Sequence, residues 1–416
     1  MNERPLHLFE AFGVEIEYMI VDARTLDVRP ITDRVLQAVA GEIVSDVEDG
    51  EITWSNELSA HVIELKTTDP ARSLVSLPAD FNASVRRINS ILEPMGARLL
   101  PSAMHPWMDP HREMVIWPHD YSIVYEAFNR IFDCRGHGWA NLQAVHLNLP
   151  FADDAEFARL HAAIRILLPI LPALAASSPV FEGQFSGLLD TRLDVYRQNC
   201  RRIPLATARV IPEAVFSAAE YQRQILEPLF AQIAPHDAEG TLQEEWLNAR
   251  GAIARFERNT IEVRVLDVQE CPQADVAVCA LVTDVLERLV GGTWGDPTRH
   301  ETWDVEPLAD IFFANIRDAE QTVVGESEYL QLFGVKGQTA LTAAELWRHL
   351  AQSVGPNSRS AHPSVRPAVE MILERGPLAR RILTAVGPAP SRDRISAVYR
   401  ELADCLADGR MFAGLE

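Results

Sequence analysis

Four stretches of the chain alternate apolar and polar residues with a period of two. They are "GVEIEYMIVD" (13–22), "HVIELKT" (61–67), "LQAVHLNL" (142–149) and "TIEVRVLDV" (260–268). This pattern predicts β-strands with one buried face each. "EIVSDV" (42–47), "EITW" (51–54) and "ARLLPSA" (97–103) are shorter strand candidates, and the Asp-Gly between the first two predicts a hairpin. Elsewhere the apolar spacing changes to three and four. After "TTDP", with Asp69 as cap and Pro70 in the first turn, Leu74, Leu77, Phe81, Val85, Ile88 and Leu92 predict one amphipathic helix ending near Gly96. Phe157, Leu160, Ile164, Leu167 and Leu171 predict a second, and 273–290 a third, well buried one. Past the turn-rich "GGTWGDPTRHETW" (291–303), helical patterns occupy 306–322, 342–353, 365–387 and 392–408. The expected class is therefore α+β: an antiparallel sheet backed by helices over residues 1–303, and a helical C-terminal extension over 304–416.

The strand faces carry the chemistry. Glu15 and Glu17 point the same way, roughly 6.6 Å apart along the strand, with Val14, Ile16, Tyr18 and Ile20 opposite. Glu64 and Lys66, then His146 and Asn148, then Glu262 and Arg264 form the polar faces of the other three strands. A sheet with one wet face yields the same alternation, but such a face favours Lys, Thr, Ser and Gln. Carboxylates with imidazole and amide groups suit hard divalent cations such as Mg²⁺ or Mn²⁺. An offset arginine suits a phosphate or carboxylate.

Composition narrows the partners. The 59 acidic residues outnumber the 38 basic ones, a formal net charge of −21, which disfavours nonspecific nucleic-acid binding. The N-terminus has no apolar h-region, and the most apolar run, Ile166 to Phe181, is short and holds three prolines, so neither a signal peptide nor a membrane span is expected. Five scattered cysteines with no C-x-x-C pair fit a reducing cytoplasm. Phosphate-loop and nucleophile-elbow motifs are absent. Cys134, near His137, is more readily an inert thiol than a nucleophile. Arg192, Arg197, Arg201 and Arg202 form the densest basic cluster, either a salt-bridged helix face or an anion site.

In series, "GVEIEYMIVD", "HVIELKTTDP", "AVHLNLP" and "TIEVRVLDVQ" resemble glutamate–cysteine ligase family 2, the bacterial carboxylate–amine ligases, over roughly residues 10–290. The resemblance implies a glutamine synthetase-like curved sheet holding Mg²⁺–ATP and an amino acid on its concave face. It implies metal ligation by Glu15, Glu17, Glu64, His146, Asn148 and Glu262, catalytic roles for Arg264 and Arg192, and nucleotide contacts from Arg264, Arg202 and Glu64. It departs from the family's pattern at Ile16, an acidic position there, and at Asn148, a histidine there. The implied activity is an ATP-dependent ligation of a glutamate-like carboxylate to an amine such as cysteine, through an acyl phosphate, in the cytoplasm, with a homodimer left open. Two other readings stay open: a metal-dependent hydrolase using the same face, and a non-catalytic nucleotide- or amino-acid-binding homologue.

Overall fold

The computed structural model describes residues 4–415. Its strands are β1 (Gly13–Asp22), β2 (Asp46–Asp49), β3 (Ile52–Asn56), β4 (Val62–Thr67), β5 (Ala97–Leu100) and β6 (Ala144–Pro150). A two-residue hairpin, β7 (Val180–Phe181) and β8 (Gln184–Phe185), precedes β9 (Ala252–Arg255) and β10 (Thr260–Asp267). The main sheet is antiparallel with the order β2-β3-β4-β1-β6-β10-β9, and β5 pairs with the second half of β1. β1 is thus central. Its first half places Glu15 between Lys66 of β4 and His146 of β6, and Glu17 lies directly beside Glu64.

The apolar face is sealed. Val14, Ile16, Tyr18 and Ile20 are fully buried and join one core with Phe81, Val85, Ile88 and Leu92 of the helix Leu77–Leu92. The helix Pro272–Val290 packs against that helix and against Asp154–Leu167. The C-terminal helices Val305–Asp318, Ala343–Ser353 and Arg366–Arg375 send Phe312, Trp347 and Ile372 into the same core. The last two, Leu378–Val386 and Arg392–Asp408, bury Ile382, Tyr399 and Leu402 against Met19, Val21 and Leu100. Buried Arg381 pairs with Glu270, whose carboxylate also accepts from the Phe412 amide at 3.1 Å, so the end of the chain is tied to the turn after β10.

Two helices and three short strands differ from expectation. The first long helix starts at Leu77, with Pro78 in its first turn, after a short 3₁₀ turn. Asp69-Pro70 does not open it, because the Phe12 and Ala71 amides exchange backbone hydrogen bonds of 2.9 and 2.8 Å and hold that segment extended. The helix expected over 365–387 is divided by Gly376-Pro377, where Gly376 has φ +84°. The short strands β7, β8 and β9 were not expected. Among the described residues no helix is long and apolar enough to cross a membrane, and all five cysteines are free and buried.

Candidate active site

The polar face converges on one imidazole. His146 Nδ1 lies 3.1 Å from Glu15 Oε2 and 3.7 Å from Glu262 Oε1, while its Nε2 lies 3.9 Å from Glu17 Oε1. Two triads result, Glu15–His146–Glu262 and Glu17–Glu64–His146, each with ligating atoms within 4.8 Å of one another. Their spacing follows from register: partners on adjacent antiparallel strands lie side by side on one face, and β1, β4, β6 and β10 are neighbours. Mg²⁺ or Mn²⁺ fits such a set of carboxylate oxygens with one imidazole.

Each carboxylate is oriented by a further contact. Asn148 Nδ2 donates to Glu15 Oε1 at 3.0 Å, and the Ala144 amide donates to Glu17 Oε2 at 2.8 Å. Ser55 Oγ and Lys66 Nζ donate to Glu64 Oε2 at 2.7 and 2.9 Å. Arg264 Nε lies 2.9 Å from Glu262 Oε1, and Arg255 reaches Glu262 Oε2 at 3.5 Å. The proton affinities reflect this crowding. Burial would lower His146, but Glu15, Glu17 and Glu262 outweigh it and push the imidazole up to about 9. Burial pushes Glu17 up, with Glu64 adding to it, whereas Glu15 is pulled down against burial by its hydrogen bond from His146.

Glu57, which the strand pattern missed, belongs to the same field. It follows β3 in the turn toward β4, and burial together with Glu64 and Glu17 holds its carboxyl well above the usual range. The neighbouring Asn56 donates to the Tyr125 hydroxyl at 3.1 Å, which brings the helix Ser122–Phe132 over this end of the face. Its one sequence signal is position: a glutamate seven residues before Glu64, outside the alternation.

At the other end the face opens into a cavity of about 530 Å³ that includes Glu15, Lys66 and Asn148 in its wall. Arg4 and Arg258 add positive charge, and Thr53, Thr67, Thr68 and Thr260 line it. In a chain of net charge −21 this wall gathers three cations against Glu15, with Arg4 paired to Glu10 and Lys66 to Glu64, a setting suited to an anionic ligand. Gly13 belongs to its wall, where a Cβ would lie 2.9 Å from Asn148 Cβ.

The remaining expected site residues take other places. Arg192 is 2% exposed, with its Nε on Asp267 and both terminal nitrogens aimed at the carbonyl oxygen of Arg264, at 3.4 and 3.3 Å. Arg202 is exposed, donates to the Ile131 carbonyl at 3.1 Å, and lines a different cavity, with Arg201 and His137. Cys134 is buried, and burial raises its thiol.

Residues 11–401 match the family described as glutamate-cysteine ligase family 2. The chain belongs to that family. It is 31% identical over 401 residues to an uncharacterized protein of Archaeoglobus fulgidus, covering 96% of this chain and 99% of that one. Among solved structures it superposes on the glutamate–cysteine ligase of Francisella tularensis, a complex with AMP, with a TM-score of 0.62 and 12% identity over 99% of this chain and 91% of that one. The bifunctional glutathione synthetase of Pasteurella multocida gives a TM-score of 0.60 and 14% identity, covering 96% of this chain and 53% of that chain. The likeness establishes a shared fold, an antiparallel sheet backed by helices, as the family resemblance implied.

Proposed function

We propose that this glutamate–cysteine ligase family 2 member is an ATP-dependent carboxylate–amine ligase acting on a glutamate-like carboxylate, with an amine such as cysteine as acceptor. One observation carries the reading: the two carboxylate–imidazole triads adjoin, through Glu15 and Lys66, a cavity of about 530 Å³ with a cationic, hydroxyl-rich wall. That cavity is of the size that holds a nucleotide-sized ligand, and the Francisella enzyme of the same fold is described with AMP.

In this reading Glu15, Glu17, Glu64, His146 and Glu262 hold Mg²⁺ or Mn²⁺, and Asn148 orients Glu15. The bound cations would offset charge on the phosphate oxygens. Arg264, beside Glu262, faces the transferring phosphoryl group with its fork and stabilises the charge that spreads over the equatorial oxygens. Lys66, Arg4 and Arg258 hold the rest of the nucleotide's charge. The substrate carboxylate attacks the terminal phosphorus, ADP leaves, and the amine then displaces phosphate from the acyl phosphate. The proton the amine gives up as the amide forms leaves with the released phosphate or passes to water. No serine or cysteine is needed as nucleophile.

The test follows oxygen. With ATP, Mg²⁺ and glutamate labelled in its γ-carboxylate, ligation moves one labelled oxygen into phosphate, and net product requires amine. Hydrolysis without ATP would instead indicate a metallohydrolase, and no turnover with any acid or amine would indicate a binding protein.

A further inference from the structure

We infer that Asp190, Asp267 and Arg192 form a buried relay that fixes the β-bulge carrying Arg264 and so aims that guanidinium across the carboxylate face. The register of β10 against β6 slips by one residue between Val263 and Leu266, which leaves Arg264 within the bulge. Inside a bulge the ladder no longer defines the backbone, so other partners must hold it. The Arg264 amide donates to the Gly251 carbonyl at 2.9 Å, and the Arg264 carbonyl accepts from both terminal nitrogens of Arg192. Arg192 is locked in turn. Its Nε pairs with Asp267, and its amide donates to Ser178 Oγ at 3.0 Å. Asp267 also accepts from the Ser177 amide at 2.8 Å and from Ser178 Oγ at 2.9 Å.

Asp190 completes the set. It is fully buried, feels the charge of neighbouring Asp267, and its Oδ1 accepts from the Leu193 amide at 2.9 Å. Its Oδ2 has no hydrogen-bond partner among the described residues. One guanidinium faces two buried carboxyls, and two ionised carboxylates there would leave an uncompensated charge in a water-free site. Burial and the neighbouring Asp267 charge push the Asp190 carboxyl well above the usual carboxylate range, the direction that favours a protonated Asp190 able to donate toward Asp267. The main chain ties this relay to the C-terminal helices: the Leu189 and Asp190 amides donate to the carbonyls of Arg317 and Ile316 at 3.3 and 3.1 Å. In this arrangement Arg192 and Asp190 are positioning residues, and the helix Val305–Asp318 braces the segment that carries them.

The consequence for turnover rests on the ligase reading; the backbone arrangement does not, and the experiment separates them. Amide deuterium exchange across residues 250–266 is compared in the full-length wild type, Asp190→Asn, Asp190→Ala and Arg192→Gln, alongside ATP turnover. Asparagine replaces the hydroxyl donor with an N–H donor, so Asp190→Asn keeps exchange within about twofold of wild type and restores the kcat that Asp190→Ala loses, with KM for ATP unchanged. Arg192→Gln and Asp190→Ala speed exchange at the Arg264 amide by about tenfold or more, because the Arg264 carbonyl loses its buried partner and the bulge that holds the amide on Gly251 opens more often. Wild-type exchange in Arg192→Gln, or equal damage from Asp190→Asn and Asp190→Ala, overturns the relay. If Asp190→Ala does not fold, Asp190→Asn against Arg192→Gln decides by the same criterion. A wild type without ATP turnover removes the ligase reading and leaves the exchange comparison intact.

Discussion

His146 is where the site is most sensitive. Without metal its imidazolium is held by Glu15, Glu17 and Glu262, with a pKa pushed up to about 9 from 6.5. A raised folded-state pKa contributes stability that is fully present below about pH 6.5 and is lost as pH climbs through about 9. The melting temperature in chelator should therefore fall across that window, and His146→Gln should flatten the fall. Metal must displace the same proton, so Mn²⁺ affinity measured by calorimetry should rise over the window by roughly tenfold per pH unit at most. The two neighbouring glutamates should part company. Glu17 is pushed toward neutrality and Glu15 away from it, so Glu17→Gln should hold or raise the melting temperature in chelator while Glu15→Gln lowers it. Both should abolish metal-dependent ATP turnover; wild-type turnover in either would remove that residue from the site. Arg264→Lys keeps a charge but loses the fork, and kcat should drop at least tenfold in an ADP-release assay.

Strands set these distances, and two glycines hold them. Gly13→Ala would push Asn148, whose Cβ sits 2.9 Å from the new methyl, away from Glu15. Metal affinity should weaken several-fold with little change in denaturant midpoint. Gly251→Ala is the contrasting case. Its methyl would lie 2.7 Å from Val265 Cγ1 and 2.9 Å from Val210 Cγ1, inside the core beside the bulge. Overpacking of this kind costs about 1–3 kcal/mol, read as a lower urea midpoint. Much of this was visible in the alternation of polar and apolar residues, since a period of two assigns faces without any partner. The bulge was not, because a register slip exists only between paired strands. Glu57 was missed for a related reason: it stands in a turn, where no periodicity assigns a direction.

At the scale of the whole molecule the C-terminal helices are part of the same packed body. Phe412 is fully buried, and its carbonyl accepts from Arg381 at 2.8 Å. Phe412→Ala should cost about 3–5 kcal/mol in equilibrium unfolding while Mn²⁺ affinity stays at the wild-type value. A matching loss of affinity would mean that this end of the chain reaches the site. The sequence by itself determined which residues face which way on each strand, that the polar face carries metal-type donors, and which family the chain resembles. Those follow from local periodicity and residue type. Only the tertiary structure decided which donors meet at His146, that Arg192 is turned onto a backbone carbonyl, and that Arg202 lines another cavity. Such choices depend on strand order, on register and on competition among buried partners for the same hydrogen bonds. Those terms act between segments as far apart as Arg192 and Asp267, and no local pattern encodes them.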